Sequence, residues 1–139
     1  MTKLLIDTNI VLDLLARREP FYNYAAQIFS LADKHKVLLS VSSLSFATAY
    51  YILSKSLQPR EVRDILRKLK ILVNVFALDD KIIELALNDS AFEDFEDGLQ
   101  YHTAVENSQD IIITRNQKDF KKSMIPVMNA DEYLTSFTQ

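Results

Sequence analysis

Four short, mainly apolar runs punctuate the chain: Lys3 to Ile6, Val37-Leu38-Leu39-Ser40-Val41, Leu72 to Phe76 and Ile111-Ile112-Ile113. Their apolar residues are consecutive rather than alternating with polar ones, so each reads as a strand buried on both faces, which is the mark of a parallel sheet. Helical spacing lies between them. Phe21, Tyr24, Ala25, Ile28 and Ala32 follow Pro20, and Val62, Ile65, Leu66 and Leu69 follow Pro59; both prolines suit a first helical position. The run from Leu44 to Leu53 is apolar nearly all round, which predicts a helix buried in the core or at a dimer contact. Strands alternating with helices predict an α/β protein, a three-layer α/β/α sandwich with a central, mainly parallel sheet.

Composition narrows the picture. A chain of 139 residues with 48% hydrophobic residues can close a core without disulfides or a structural metal. No repeat, low-complexity segment or linker interrupts it, so residues 1–139 are expected to form a single domain. There is no cysteine and there are only two histidines, which excludes thiolate sites and multi-histidine zinc sites; any metal must be held by oxygen. The single glycine, Gly98, excludes a glycine-rich phosphate loop. The N-terminal apolar run is broken by Asp7 and Asp13, and no run approaches a membrane span, so a cytoplasmic protein with no membrane partner is expected.

The net charge of −3 is less informative than its distribution. Asp79 to Asp97 carries eight acids and one base, whereas Lys55 to Lys70 carries six bases and two acids. Arg115, Lys118, Lys121 and Lys122 form a second basic cluster. Arg60, Arg63, Arg67 and Lys70 recur at helical spacing beside the apolar stripe, either as a solvated helix face or as a nucleic-acid track.

Candidate chemistry gathers where strands end, because the C-terminal strand ends of an open parallel sheet form a crevice for ligand-handling groups. Asp7 occupies such an end. It or Asn9 could equally cap the helix beginning near Ile10, a role worth about 1 kcal/mol. A second group, Glu93, Asp94, Glu96 and Asp97, puts four acids into five residues, with Phe92 and Phe95 interleaved. On a helix Asp94 and Asp97 share a face and repel, a penalty that a bound cation would remove. Acids also suit a first turn, and Ser90 with Glu93 has capping-box spacing. A third strand end supplies Thr114, Arg115 and Asn116, with Arg115 a bidentate phosphate donor. Asp13 reads as a solvated edge residue and His35 as exposed; Asp119 could reach the site but is read first as a cap of the turn before Phe120, and His102 as a packing residue before a general base.

Taken together, the Asp7-Thr8-Asn9 strand end, the Asp94-Phe95-Glu96-Asp97-Gly98-Leu99-Gln100-Tyr101 segment and Ile112-Ile113-Thr114-Arg115-Asn116 followed by Asp119-Phe120 resemble a PIN domain. The resemblance runs from Lys3 to about Leu134 and includes Arg18-Glu19-Pro20-Phe21-Tyr22 and Tyr50-Tyr51-Ile52-Leu53. It implies a metal-dependent endoribonuclease acting on single-stranded or structured RNA, of a kind often found as the toxin of a toxin-antitoxin pair. The implied cofactor is Mg²⁺ or Mn²⁺, with Asp7 and Asp97 as metal ligands and Asp94 as the supplementary acid. Asn9 and Thr114 would support the site, and Arg115, Arg63 and Arg67 would hold the RNA strand. An antitoxin protein and a homodimer are the expected protein partners.

Two departures bear on that expectation. Thr48 stands where many PIN domains carry a glutamate, and Asn116 where many carry an aspartate. Asp7, Asp94 and Asp97 bring at most three negative charges, too few to offset two Mg²⁺ ions, so one ion, weak binding, or none without substrate is expected. The alternative is a catalytically degenerate PIN domain that binds RNA or protein. A phosphatase of the haloacid dehalogenase type is set aside because Asn9 occupies the proton donor's place and cannot protonate a leaving group.

Overall fold

The computed structural model of the chain describes residues 1–138. Leu4, Leu5 and Ile6 are wholly buried because β1 (Lys3–Ile6) is central, paired in parallel with β2 (Leu38–Ser42) on one side and β4 (Ile111–Ile113) on the other. β3 (Asn74–Phe76) and β5 (Val127–Met128) flank these, giving a five-stranded parallel sheet in the order β3-β2-β1-β4-β5. Successive side chains of a strand point to opposite faces, and the core divides accordingly. Leu4, Ile6 and Ile113 pack with Ile10 and Val11 of α1 (Thr8–Leu15), Ile28 and Phe29 of α2 (Tyr22–Asp33), and Tyr133 of α7 (Ala130–Thr138). Leu5 and Ile112 face the other way, onto Tyr101 and Ala104 of α6 (Phe95–Glu106) and onto Phe92 and Phe120. The three-layer sandwich expected from the sequence is the fold observed.

The remaining helices extend these layers. α3 (Ser43–Leu53) follows β2 directly, capped by the Ser42 hydroxyl. α4 (Pro59–Leu72) begins with proline inside a Gln58–Glu61 capping box and lies against α2 and α3. α5 (Asp80–Leu87) packs on α6 through Ile82, Ala86 and Leu99. Among the described residues no helix is long and apolar enough to cross a membrane.

Several local expectations are corrected. The apolar run from Leu72 to Phe76 is not a doubly buried strand: Leu72 completes α4, and β3 is an edge strand whose Asn74 and Val75 are exposed because nothing pairs with its outer side. Pro20 does not open α2, which starts at Tyr22 after Phe21. Of the two places expected for α3, the core takes one face only, through Ser45, Ala49 and Leu53, and Tyr51 stays 67% exposed in the single chain.

Candidate active site

β1 and β4 are neighbours, but the chain leaves them for opposite layers, so their C-terminal ends frame a crevice at the sheet's switch point. Asp7 is the residue after β1 and the N-cap of α1. Its backbone amide continues the ladder to the Ile113 carbonyl at 3.0 Å, which fixes where the carboxyl stands. The Thr8 amide donates to Oδ1 at 2.7 Å and the Thr114 hydroxyl to Oδ2 at 2.7 Å. Asn9 closes the arrangement: its amide nitrogen reaches the Thr114 hydroxyl at 3.2 Å and Asp7 Oδ2 at 3.4 Å, while its Oδ1 accepts from the Arg115 backbone amide at 3.2 Å. Asp7 is thus both a cap and an oriented, buried carboxylate.

The acid cluster arrives from the α6 layer. Asp94, and not Ser90, caps α6, its Oδ1 accepting from the Glu96 and Asp97 amides at 2.8 and 3.2 Å. Asp97 stands in the first turn, and among the described residues its carboxylate accepts no hydrogen bond. Burial, then the charges of Asp94, Asp7, Asp119 and Glu96, push its pKa from 3.8 up to about 7. The pKa of Asp7 is raised as well, chiefly by burial and further by Glu96 and Asp119, against the lowering effect of its Thr114 and Thr8 hydrogen bonds. These carboxylates feel one another, and among the described residues none of them forms an ion pair.

Asp119 is the acid whose sequence reading is corrected. It was expected to cap a turn, but among the described residues its side chain makes no hydrogen bond, and it lines the same cavity as Asp94 and Asp97. Its charge acts on both Asp7 and Asp97. Asn116 is exposed, and only its backbone enters the site, donating to the Thr114 hydroxyl at 3.0 Å.

Beneath Asp7 lies a polar knot that the sequence reading missed. The hydroxyls of Thr8 and Ser45 are 2.7 Å apart, and the side-chain nitrogen of Gln100 donates to them at 3.2 and 3.3 Å. It joins α1, α3 and α6. Ser45 lies one turn before Thr48, and Gln100 one turn after Asp97; polar residues inside otherwise apolar helical faces were the available signal.

The basic residues divide. Arg115 places Nε 2.8 Å and Nη2 3.0 Å from the two carboxylate oxygens of Asp13, and its guanidinium lies 4.0 Å from the Phe21 ring centre. Asp13 is wholly buried, not the solvated edge residue expected. Arg63 and Arg67 are exposed on α4, with Arg67 paired to Asp64. His102 meets Asp89 at 2.8 Å, away from the strand ends.

The sequence pattern of the PIN domain matches residues 3–118. The chain belongs to the PIN domain family. It is 30% identical over 134 residues to Ribonuclease VapC1 of Aquifex aeolicus (strain VF5), covering 94% of this chain and 92% of the relative. The fold is also that of VapBC-1 from nontypeable Haemophilus influenzae, with a TM-score of 0.71 at 16% identity, over 94% of this chain and 99% of that one. A toxin-antitoxin complex from Klebsiella pneumoniae matches with a TM-score of 0.69 at 22% identity, over 91% and 97%. Within this PIN domain, Thr48 is half-buried on α3 and brings no charge, while Asp119 adds a carboxylate three residues beyond Asn116.

Proposed function

We propose that this PIN domain is an endoribonuclease, hydrolysing phosphodiester bonds of single-stranded or structured RNA with Mg²⁺ or Mn²⁺ held by Asp7, Asp97 and Asp94. The observation that carries this reading is the meeting of Asp7, Asp94, Asp97 and Asp119 at the switch point, none of them in an ion pair among the described residues. The likeness to Ribonuclease VapC1 supports it.

The donor set is all oxygen, which suits a hard divalent ion. Among the described residues no three His, Asp or Glu side chains are placed to enclose one ion. A Mg²⁺ ion needs no such cage, since one or two carboxylates, water and a substrate phosphate can fill its shell. When bound, the ion would supply an acidified water and charge neutralisation for displacement at phosphorus. The chain's own residues prepare that chemistry. Oδ2 of Asp7 accepts from Thr114 and, at 3.4 Å, from Asn9, while Oδ1 accepts only from the Thr8 amide among the described residues and keeps further acceptor capacity. Asp97 has both oxygens free, and Asp94 keeps Oδ2. Asn9 and Thr114 hold Asp7 in one rotamer, Asn116 bonds Thr114 through its amide, and Thr48, one turn after Ser45 on α3, is assigned an uncharged supporting role. Arg115, through whatever part of its guanidinium Asp13 leaves free, is assigned to the RNA strand; Arg63 and Arg67, exposed on α4, are the rival candidates for that contact.

The degenerate reading rests on Thr48 and Asn116, and Asp119 weighs against it. In the favoured reading the chain acts as one domain in the cytoplasm, as the toxin of a pair with an antitoxin protein, and as a homodimer. The exposed rings of Phe21, Tyr24 and Tyr51 offer contact area for such partners. Monomeric mass by light scattering would rule out the homodimer.

The deciding experiment is cleavage of end-labelled single-stranded RNA in Mg²⁺ and in Mn²⁺ by the unaltered chain, Asp7→Asn and Asp97→Asn. Cleavage that needs metal and falls by at least about a hundredfold in both variants is expected. Cleavage that survives either substitution would remove that ligand, and none in either metal would leave the binding-module reading.

A further inference from the structure

Beyond β4 the chain makes a 3₁₀ turn, Gln117–Phe120, held by one buried ring. Phe120 sits edge-on to Phe92 at 5.9 Å, and Phe92 stacks on Tyr101 of α6 at 4.8 Å. The next residues are fastened too: the Ser123 amide donates to the Phe120 carbonyl at 2.9 Å, and the Met124 amide to the Tyr101 hydroxyl at 3.3 Å. On either side of this anchor Lys118, Lys121 and Lys122 are exposed. They line one cavity of about 370 Å³ together with Glu93, Asp94 and Asp97.

Acids and lysines therefore face the same space, yet none of these three lysines forms an ion pair among the described residues. An exposed pair would gain only about 0.2–1 kcal/mol, so closing the gap offers little, and leaving it open keeps both charges available to a ligand. The other bases are less well placed. Arg115 is committed to Asp13, and α4 lies against α2 and α3.

We propose that Lys118, Lys121 and Lys122 form a phosphate shelf that grips the backbone of a single-stranded RNA beside the carboxylates. Three ammonium groups along five residues, on a turn anchored through the Phe120 ring, suit successive phosphates of a strand. This rests on the nuclease reading for the identity of the anion and deepens it by naming which groups hold the strand.

The test is anisotropy of a fluorescein-labelled single-stranded RNA decamer in EDTA, across about 50 to 200 mM KCl. The proteins are the unaltered chain, the triple variant Lys118→Gln/Lys121→Gln/Lys122→Gln, and Arg63→Gln/Arg67→Gln. Three lost phosphate contacts, at about 0.7 each for a single strand, lower the slope of log affinity against log salt by about 2 in the lysine variant. Binding at the low-salt end falls about tenfold or more, and the arginine variant keeps most of the slope. Circular dichroism melts check that the lysine variant folds, as the exposed positions lead one to expect. An unchanged slope in the lysine variant, a loss confined to the arginine variant, or no binding by the unaltered chain overturns the shelf.

Cleavage in Mg²⁺, run beside it, separates the two claims. Asp97-dependent cleavage with an unchanged lysine slope sinks the shelf and leaves the nuclease. A lysine-dependent slope with no cleavage sinks the nuclease and leaves the shelf.

Discussion

Asp97 is where the electrostatics of the site can be measured. Its carboxyl titrates at about 7 in the folded chain against 3.8 for an ordinary carboxyl. Between those values the folded protein binds more protons than the unfolded one, so metal-free stability falls as pH rises through that window. Melting in EDTA is therefore expected to be higher at about pH 5 than at about pH 8, with Asp97→Asn flattening most of the difference and raising the melting temperature at the higher pH. Mg²⁺ should restore the unaltered chain at about pH 8 and do less for the variant. Thr114 makes a different prediction. Its hydroxyl donates to Asp7 and accepts from Asn9 and Asn116, so Thr114→Val should cost about 1–3 kcal/mol in urea unfolding and weaken Mg²⁺ binding. At this scale Asp7 and Asp97 were legible because an acid following an apolar strand, or crowded by other acids, has few ordinary explanations. Asp119 and Ser45 were not, since each has a local alternative, a turn cap or a helix hydroxyl, that only the tertiary path removes.

Elements carry the site, and two can be tested as such. Gly98 lies inside α6, and a Cβ there would meet Ala86 and Phe92 Cβ atoms at 3.5 Å, an ordinary contact. Gly98→Ala is expected to stabilise the chain by about 0.5–1 kcal/mol through helix propensity and leave RNA cleavage unchanged. The second test is the link between α1 and the residue two beyond β4. Arg115→Ala leaves the buried Asp13 unpaired and should cost about 3 kcal/mol or more in urea unfolding, part of it recovered in Asp13→Ala/Arg115→Ala. Strands with both sides paired, β1, β2 and β4, were readable because their burial is recorded in consecutive apolar residues. β3 was readable as a strand but not as an edge, and the two-residue β5 and the helices α5 and α7 were not read, because short or singly buried elements leave too little periodicity.

At the scale of the molecule the sorted charges along the sequence acquire a geometry: acids from the α6 layer and lysines beyond β4 meet at one crevice, whose lining includes no base of α4. What could not be read from one sequence was which basic cluster shares space with the acids, since that is decided by strand order. That order has a further consequence for the chain as it is made. β1 pairs with β2 from the first third of the sequence, but its other neighbour is Ile111–Ile113, and the hydroxyl that holds Asp7 belongs to Thr114. A ribosome must translate the chain as far as Thr114 before Asp7 gains that hydroxyl and β1 loses its open edge. On the nuclease reading, the polypeptide is harmless to the message it is being read from until β4 and Thr114 have been made.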